Sequence, residues 1–127
     1  MLLDPLDINT LKHQLSQHTE LVIACYCAQW CGTCKAYRTA FAELSQKYPQ
    51  HLFLWIDIED YPDLLDDIDV ENFPTLLIQK NHHNYFFGTM LPHIHHLERM
   101  IQAVEEKISS QQMGSSVEGP SDLKTLL

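Results

Sequence analysis

Four cysteines fall within residues 25–34: Cys25, Cys27, Cys31 and Cys34. The last two enclose Gly32 and Thr33, with Trp30 before them and Lys35 after. Two intervening residues in the first turn of a helix leave two sulfurs within bridging distance, the spacing that thiol–disulfide exchange requires. One thiolate attacks a disulfide sulfur; the second thiol then closes a ring and releases the product. Such chemistry wants the attacking sulfur ionised, and the unpaired amides and macrodipole at a helix N-terminus favour negative charge there. Cys31 is therefore expected to be the nucleophile and Cys34 the resolving thiol. Cys25 and Cys27, two apart on a strand, point to one face; they read either as buried small hydrophobes or as thiols that modulate the pair. Four thiolates would also satisfy a tetrahedral zinc or iron–sulfur site. A strand running into a helix start holds them too rigidly to converge, so no metal is expected.

The flanking segments supply that strand and that helix. Leu21 to Cys27 is apolar throughout with β-branched residues, as in a central strand covered on both faces. From Cys34 onward, Tyr37, Phe41, Leu44 and Tyr48 recur at helical intervals until Pro49. A helix over Asn9 to Thr19 precedes the strand, and a short strand near Leu2 and Leu3 can precede that helix. After the cysteine helix come a strand over His51 to Ile58 and a short helix over Tyr61 to Asp67. Phe73 to Gln79 reads as a strand with Pro74 at its entry, turning through Asn81 to Asn84 into Tyr85 to Phe87 as a hairpin. Ile94, Leu97, Ile101, Val104 and Ile108 close the domain with an amphipathic helix. Strand-helix-strand implies a parallel pair and the hairpin an antiparallel one. The fold class is thus α/β, a central mixed β-sheet flanked by helices on both faces. Residues 1–108 form the domain; residues 109–127, rich in Ser, Gln and Gly without a period, are expected to be a flexible tail.

Composition narrows the function classes. The chain has 127 residues, and 17 acidic against 8 basic side chains give a net charge of −9, which opposes binding nucleic acid through its phosphates. No apolar run approaches the about 20 residues a spanning helix needs, and the acidic start does not resemble a secretory leader. A cytoplasmic protein follows as the expectation, and in that compartment close cysteines point to redox chemistry before structural bridges. Histidines at 82, 83, 93, 95 and 96 lack a carboxylate or cysteine at ligand spacing and read as surface positions. The acidic stretch from Asp57 to Glu71 reads as a solvated face.

Trp30 to Lys35, Pro74 forty residues after Cys34, and Gly88 after the last strand together resemble the thioredoxin family over about residues 2 to 108. The resemblance implies a thioredoxin-like fold whose proline loop, Phe73-Pro74-Thr75, faces the cysteines with Pro74 as a cis-proline and pairs with an extended substrate. It implies substrate contacts at Trp30, Gly32, Thr33, Phe73, Pro74 and Gly88, with Cys25, Cys27 and Lys35 modulating. Four positions depart from the pattern. Cys25 stands where the family carries a buried aspartate, Trp55 where a lysine commonly accompanies it, and Thr33 where proline is usual; Cys27 takes the place of a tryptophan. The expected activity is reduction of protein disulfides by a monomer with no bound cofactor. Its electrons would reside in a Cys31–Cys34 dithiol replenished by a reductase or small thiol. The alternatives are a low-turnover binding or assembly module and, behind it, a four-cysteine metal protein.

Overall fold

The computed structural model describes residues 1–70, 72–111 and 114–127. Five strands form one sheet in the order β1-β3-β2-β4-β5. They are β1 Leu2–Leu3, β2 Val22–Cys27, β3 Leu52–Asp57, β4 Thr75–Lys80 and β5 His83–Thr89; the helices are α1 Ile8–Gln17, α2 Gly32–Lys47 and α3 Ile94–Ser109. β1 and β2 both run parallel to β3, whereas β4 is antiparallel to β2 and β5 to β4. This is the mixed sheet expected from the sequence, and the expected short first strand is present.

β2 is central and buried along its whole length because both of its faces are covered. Alternation divides it. Ile23, Cys25 and Cys27 face a core shared with Tyr37 and Phe41 of α2 and Leu97 and Ile101 of α3. Val22, Ala24 and Tyr26 face the opposite core with Leu11 and Leu15 of α1. The Asp7 carboxylate caps α1 by accepting from the Thr10 amide at 2.9 Å. Asn81, with φ +55°, makes the β4–β5 turn in a conformation asparagine tolerates well.

Two expectations are corrected. The helix expected over Tyr61 to Asp67 is a single 3₁₀ turn, Pro62–Leu65, ending at Asp66 with φ +59°. Its anchors are Leu64 and Leu65, which are buried, while neighbouring acids face solvent and add no packing. The terminal segment expected to be a flexible tail is docked over its described residues 114–127. Leu123 is fully buried in the α1-side core, and a second 3₁₀ turn, Leu123–Leu126, lies against α1 and the Pro62–Leu65 turn. The physical reason lies in two buried amides on the sheet. Gln79 Nε2 donates to the Ser121 carbonyl at 3.0 Å and Asn84 Nδ2 to that of Pro120 at 2.9 Å; Gln79 Oε1 accepts from the Leu123 amide at 3.1 Å. The segment satisfies these polar groups and adds Leu123 to the α1-side core. Among the described residues no helix is long and apolar enough to cross a membrane.

Candidate active site

β2 delivers the chain to the cysteines. Its last residue, Cys27, is followed by a tight turn in which the Cys31 amide donates to the Ala28 carbonyl at 3.0 Å. Cys31 is the N-cap of α2, with extended backbone, and no side chain caps the helix start. Its partly exposed sulfur thus sits at a helix N-terminus whose first-turn amides take no side-chain cap. Cys34 lies one turn in and is buried against β2.

The sulfur pairing differs from the expected Cys31–Cys34 bond. Cys34 is disulfide-bonded to Cys27, with Cα atoms 6.0 Å apart, and Cys31 and Cys25 are free. The reason is directional. Cys27 projects from the end of β2 onto the α2 face, where the inward side of the first α2 turn places Cys34 in the same buried cluster, whereas Cys31 at the N-cap is only partly buried at its edge. Cys25 lies beneath them with its Sγ 3.8 Å from Cys27 Sγ. Burial pushes the Cys25 thiol well up, so it keeps its proton. Because the bonded Cys27 carries none, the Cys25 S–H is the donor in this contact. The Tyr37 hydroxyl is buried and has no hydrogen-bond partner; burial and the neighbouring Cys25 push it up as well. Cys25 and Cys27 therefore share the face beneath the site, as their spacing implies.

Of the expected contact residues, Trp30 and Phe73 are brought together. Trp30 is 69% exposed and meets Phe73 edge-on, with ring centroids 5.7 Å apart. The Phe73–Pro74 peptide is cis, and the Pro74 carbonyl accepts from the Met90 amide at 3.2 Å. Gly32, Thr33 and Lys35 are exposed on the first turn of α2. A Cβ on Gly32 would meet nothing within 4 Å, so no steric demand fixes that residue as glycine. Gly88 does not follow the last strand but lies within β5, paired with Leu76, which itself pairs with Cys25. It sits two strands away from the cysteine strand, because β5 continues to Thr89 under the pairing of β4.

Sequence reasoning missed the cavity on the other side of Cys34. It measures about 400 Å³ and is bordered by Cys34, Lys35, Arg38, Trp55, Asp57 and Asp60, among others. Trp55 pairs with Cys25 across β2 and β3, so the two departures from the buried charge pair are neighbours in the sheet. The Arg38 guanidinium lies 5.6 Å from the centre of the Trp55 ring and forms a two-point ion pair with Asp4, its Nε donating to Oδ2 at 2.7 Å. A positive charge thus reaches the region of the missing lysine from α2. The only signal in the sequence was Arg38 itself; nothing linked it to Asp4, 34 residues earlier. Among the described residues no group of three or more His, Cys, Asp or Glu side chains is arranged to hold a metal ion.

The comparisons with known proteins agree with this geometry. The family model described as Thioredoxin matches residues 5–111. The chain belongs to the thioredoxin family. Among curated thioredoxins of Oryza sativa subsp. japonica, thioredoxin H5 is 36% identical over 73 residues, covering 58% of this chain and 53% of the relative. Thioredoxin H4-2 is 34% identical over 89 residues, covering 68% of this chain and 65% of the relative. The chain thus spans only about half to two thirds of the length of these thioredoxins. Among solved structures, the germline-specific thioredoxin Deadhead of Drosophila melanogaster superposes with a TM-score of 0.66 at 22% identity, over 76% of this chain and 91% of that one. That likeness establishes the thioredoxin fold. The docked residues 114–127 lie beyond the family match.

Proposed function

We propose that the protein is a thiol–disulfide oxidoreductase that reduces protein disulfides. The observation that carries this reading is a partly exposed, free Cys31 at the N-terminus of α2 beside a buried Cys34 that is already competent to form a disulfide. Substrate would lie across Trp30, Gly32, Thr33, Phe73 and Pro74, with an extended segment pairing along the proline loop. Cys31 thiolate attacks one substrate sulfur and expels the other as a thiolate, leaving a mixed disulfide. Cys34, once reduced, attacks Cys31 Sγ, and the second substrate sulfur departs. With Cys25 in place of a carboxylate, the proton of Cys34 leaves through the cavity bordered by Lys35, Asp57 and Asp60. Electrons return from a reductase or a small thiol. The protein acts as a cytoplasmic monomer in which the cysteines are the only redox group. Insulin reduction driven by dithiothreitol tests the reading: wild type should accelerate it and Cys31→Ser should not. Equal rates with and without wild-type protein would refute it.

A further inference from the structure

In the reduction cycle just described Cys27 has no task, yet it is the residue that holds Cys34. We infer that Cys27 is a second resolving thiol, which moves the disulfide inward from Cys31–Cys34 to Cys27–Cys34 and returns Cys31 as a free nucleophile. The inference rests on the reductase reading of the site and adds a step to it.

Three observations support it. Cys27 and Cys34 are nearly inaccessible, at 1% and 3% exposure, and are bonded to one another, while Cys31 alone of the four thiols reaches the surface. Their Cα separation of 6.0 Å lies within the range that disulfides span without backbone movement. Cys25, 3.8 Å away, holds an S–H against Cys27 Sγ. A thiolate forming there on reduction of the inner bond would find a donor in the Cys25 S–H.

The step balances within the chain. Cys27 sulfur attacks Cys34 Sγ of the Cys31–Cys34 disulfide; the Cys27–Cys34 bond forms, the Cys31–Cys34 bond breaks, and the electron pair leaves on Cys31. The proton of Cys27 ends on Cys31 or in solvent. Over the whole sequence one substrate disulfide becomes two thiols, and the Cys27 and Cys34 thiols become one disulfide. Direction follows from where each sulfur ends. The leaving sulfur arrives at a helix N-terminus that favours negative charge, and the bond arrives in an apolar core where two thiolates would be costly. The reverse attack, by Cys31 on Cys34, brings the disulfide back to the surface when a reductant is present. The interior pair thus stores one oxidation while Cys31 stands free, and a second substrate is released only after a reductant has opened the interior bond.

Chymotryptic mapping tests this on the full-length protein. Cleavage after Tyr26, Trp30 and Tyr37 puts Cys27 on one peptide and Cys31 with Cys34 on another. Reduced protein is oxidised with less than one equivalent of diamide, or separately with insulin, then blocked in acid with N-ethylmaleimide and digested. The expected product is peptide 27–30 joined to peptide 31–37, with maleimide on Cys31. In Cys27→Ser the singly oxidised protein should close Cys31–Cys34 instead, and labelling of Cys31 in native protein should fall by roughly tenfold or more. A wild-type product with maleimide on Cys27 and a loop inside peptide 31–37, or a Cys25–Cys27 link, overturns the inference. The two readings fail separately: the joined peptides without insulin reduction would sink the reductase reading, and insulin reduction with the internal loop would sink only the inward step.

Discussion

Replacing Leu123 by alanine isolates the docking of the terminal segment. Leu123 is fully buried among α1-side core residues that include Leu11, Leu15 and Leu77, and its amide is held by Gln79. A buried Leu→Ala change costs about 2–5 kcal/mol, depending on how far the site collapses. Here an upper bound also applies, because the altered chain can release the segment, after which Gln79 and Asn84 regain water. The substitution therefore cannot cost more than deletion of residues 114–127. A value near 3 kcal/mol, with a urea dependence of about 2 kcal/mol per molar, lowers the unfolding midpoint by about 1.5 M. Equilibrium urea unfolding of wild type, Leu123→Ala and the deletion measures all three. The expected order is wild type, then Leu123→Ala, then the deletion at or below it. Shifts of less than about 0.5 kcal/mol for both variants would refute the docked arrangement.

Three further outcomes follow from named contacts. His51 is buried, its Nδ1 accepting from the Leu21 amide at 3.3 Å and its Nε2 facing Glu105 at 3.1 Å; burial pulls it below its ordinary value, more than Glu105 and Glu20 restore. The unfolded chain then binds more protons, so this contribution to stability is present above about pH 6.5 and is lost as pH falls through the folded value. Urea midpoints at pH 8 and 5.5 should drop further for wild type than for His51→Gln; equal drops would contradict the assignment. Trp30→Ala should raise KM for a protein disulfide roughly two- to tenfold, the worth of an aromatic contact, while leaving the urea midpoint unchanged because Trp30 is exposed. Gly32→Ala should fold with a midpoint within about 0.5 kcal/mol of wild type, since open space surrounds the added methyl.

Much of this molecule was readable where one residue type repeats at the period of one element. The continuous apolar run of β2 required cover on both faces, and Tyr37, Phe41 and Leu44 announced the buried side of α2. Trp30, Phe73 and Pro74 were identifiable by resemblance, and the fold brings Trp30 and Phe73 into contact. The sulfur pairing was not readable, because Cys34 has two candidate partners within seven residues and the choice depends on how α2 seats against the end of β2. The terminal segment escaped notice because Leu123 is held by single contacts to Gln79 and Leu11-side packing, with no periodicity to reveal them. Gly88 was misplaced because a hairpin's length depends on strand pairing, and β5 runs on to Thr89.

The most direct test of the catalytic reading is to identify which sulfur a substrate captures. Cys34→Ser protein, incubated with a disulfide substrate and quenched in acid, should accumulate a mixed disulfide that mass spectrometry places on Cys31. The Cys31→Ser protein should form none and should not reduce insulin. A mixed disulfide on Cys25 or Cys27, or undiminished insulin reduction by Cys31→Ser, would contradict the assignment of Cys31 as the attacking thiol.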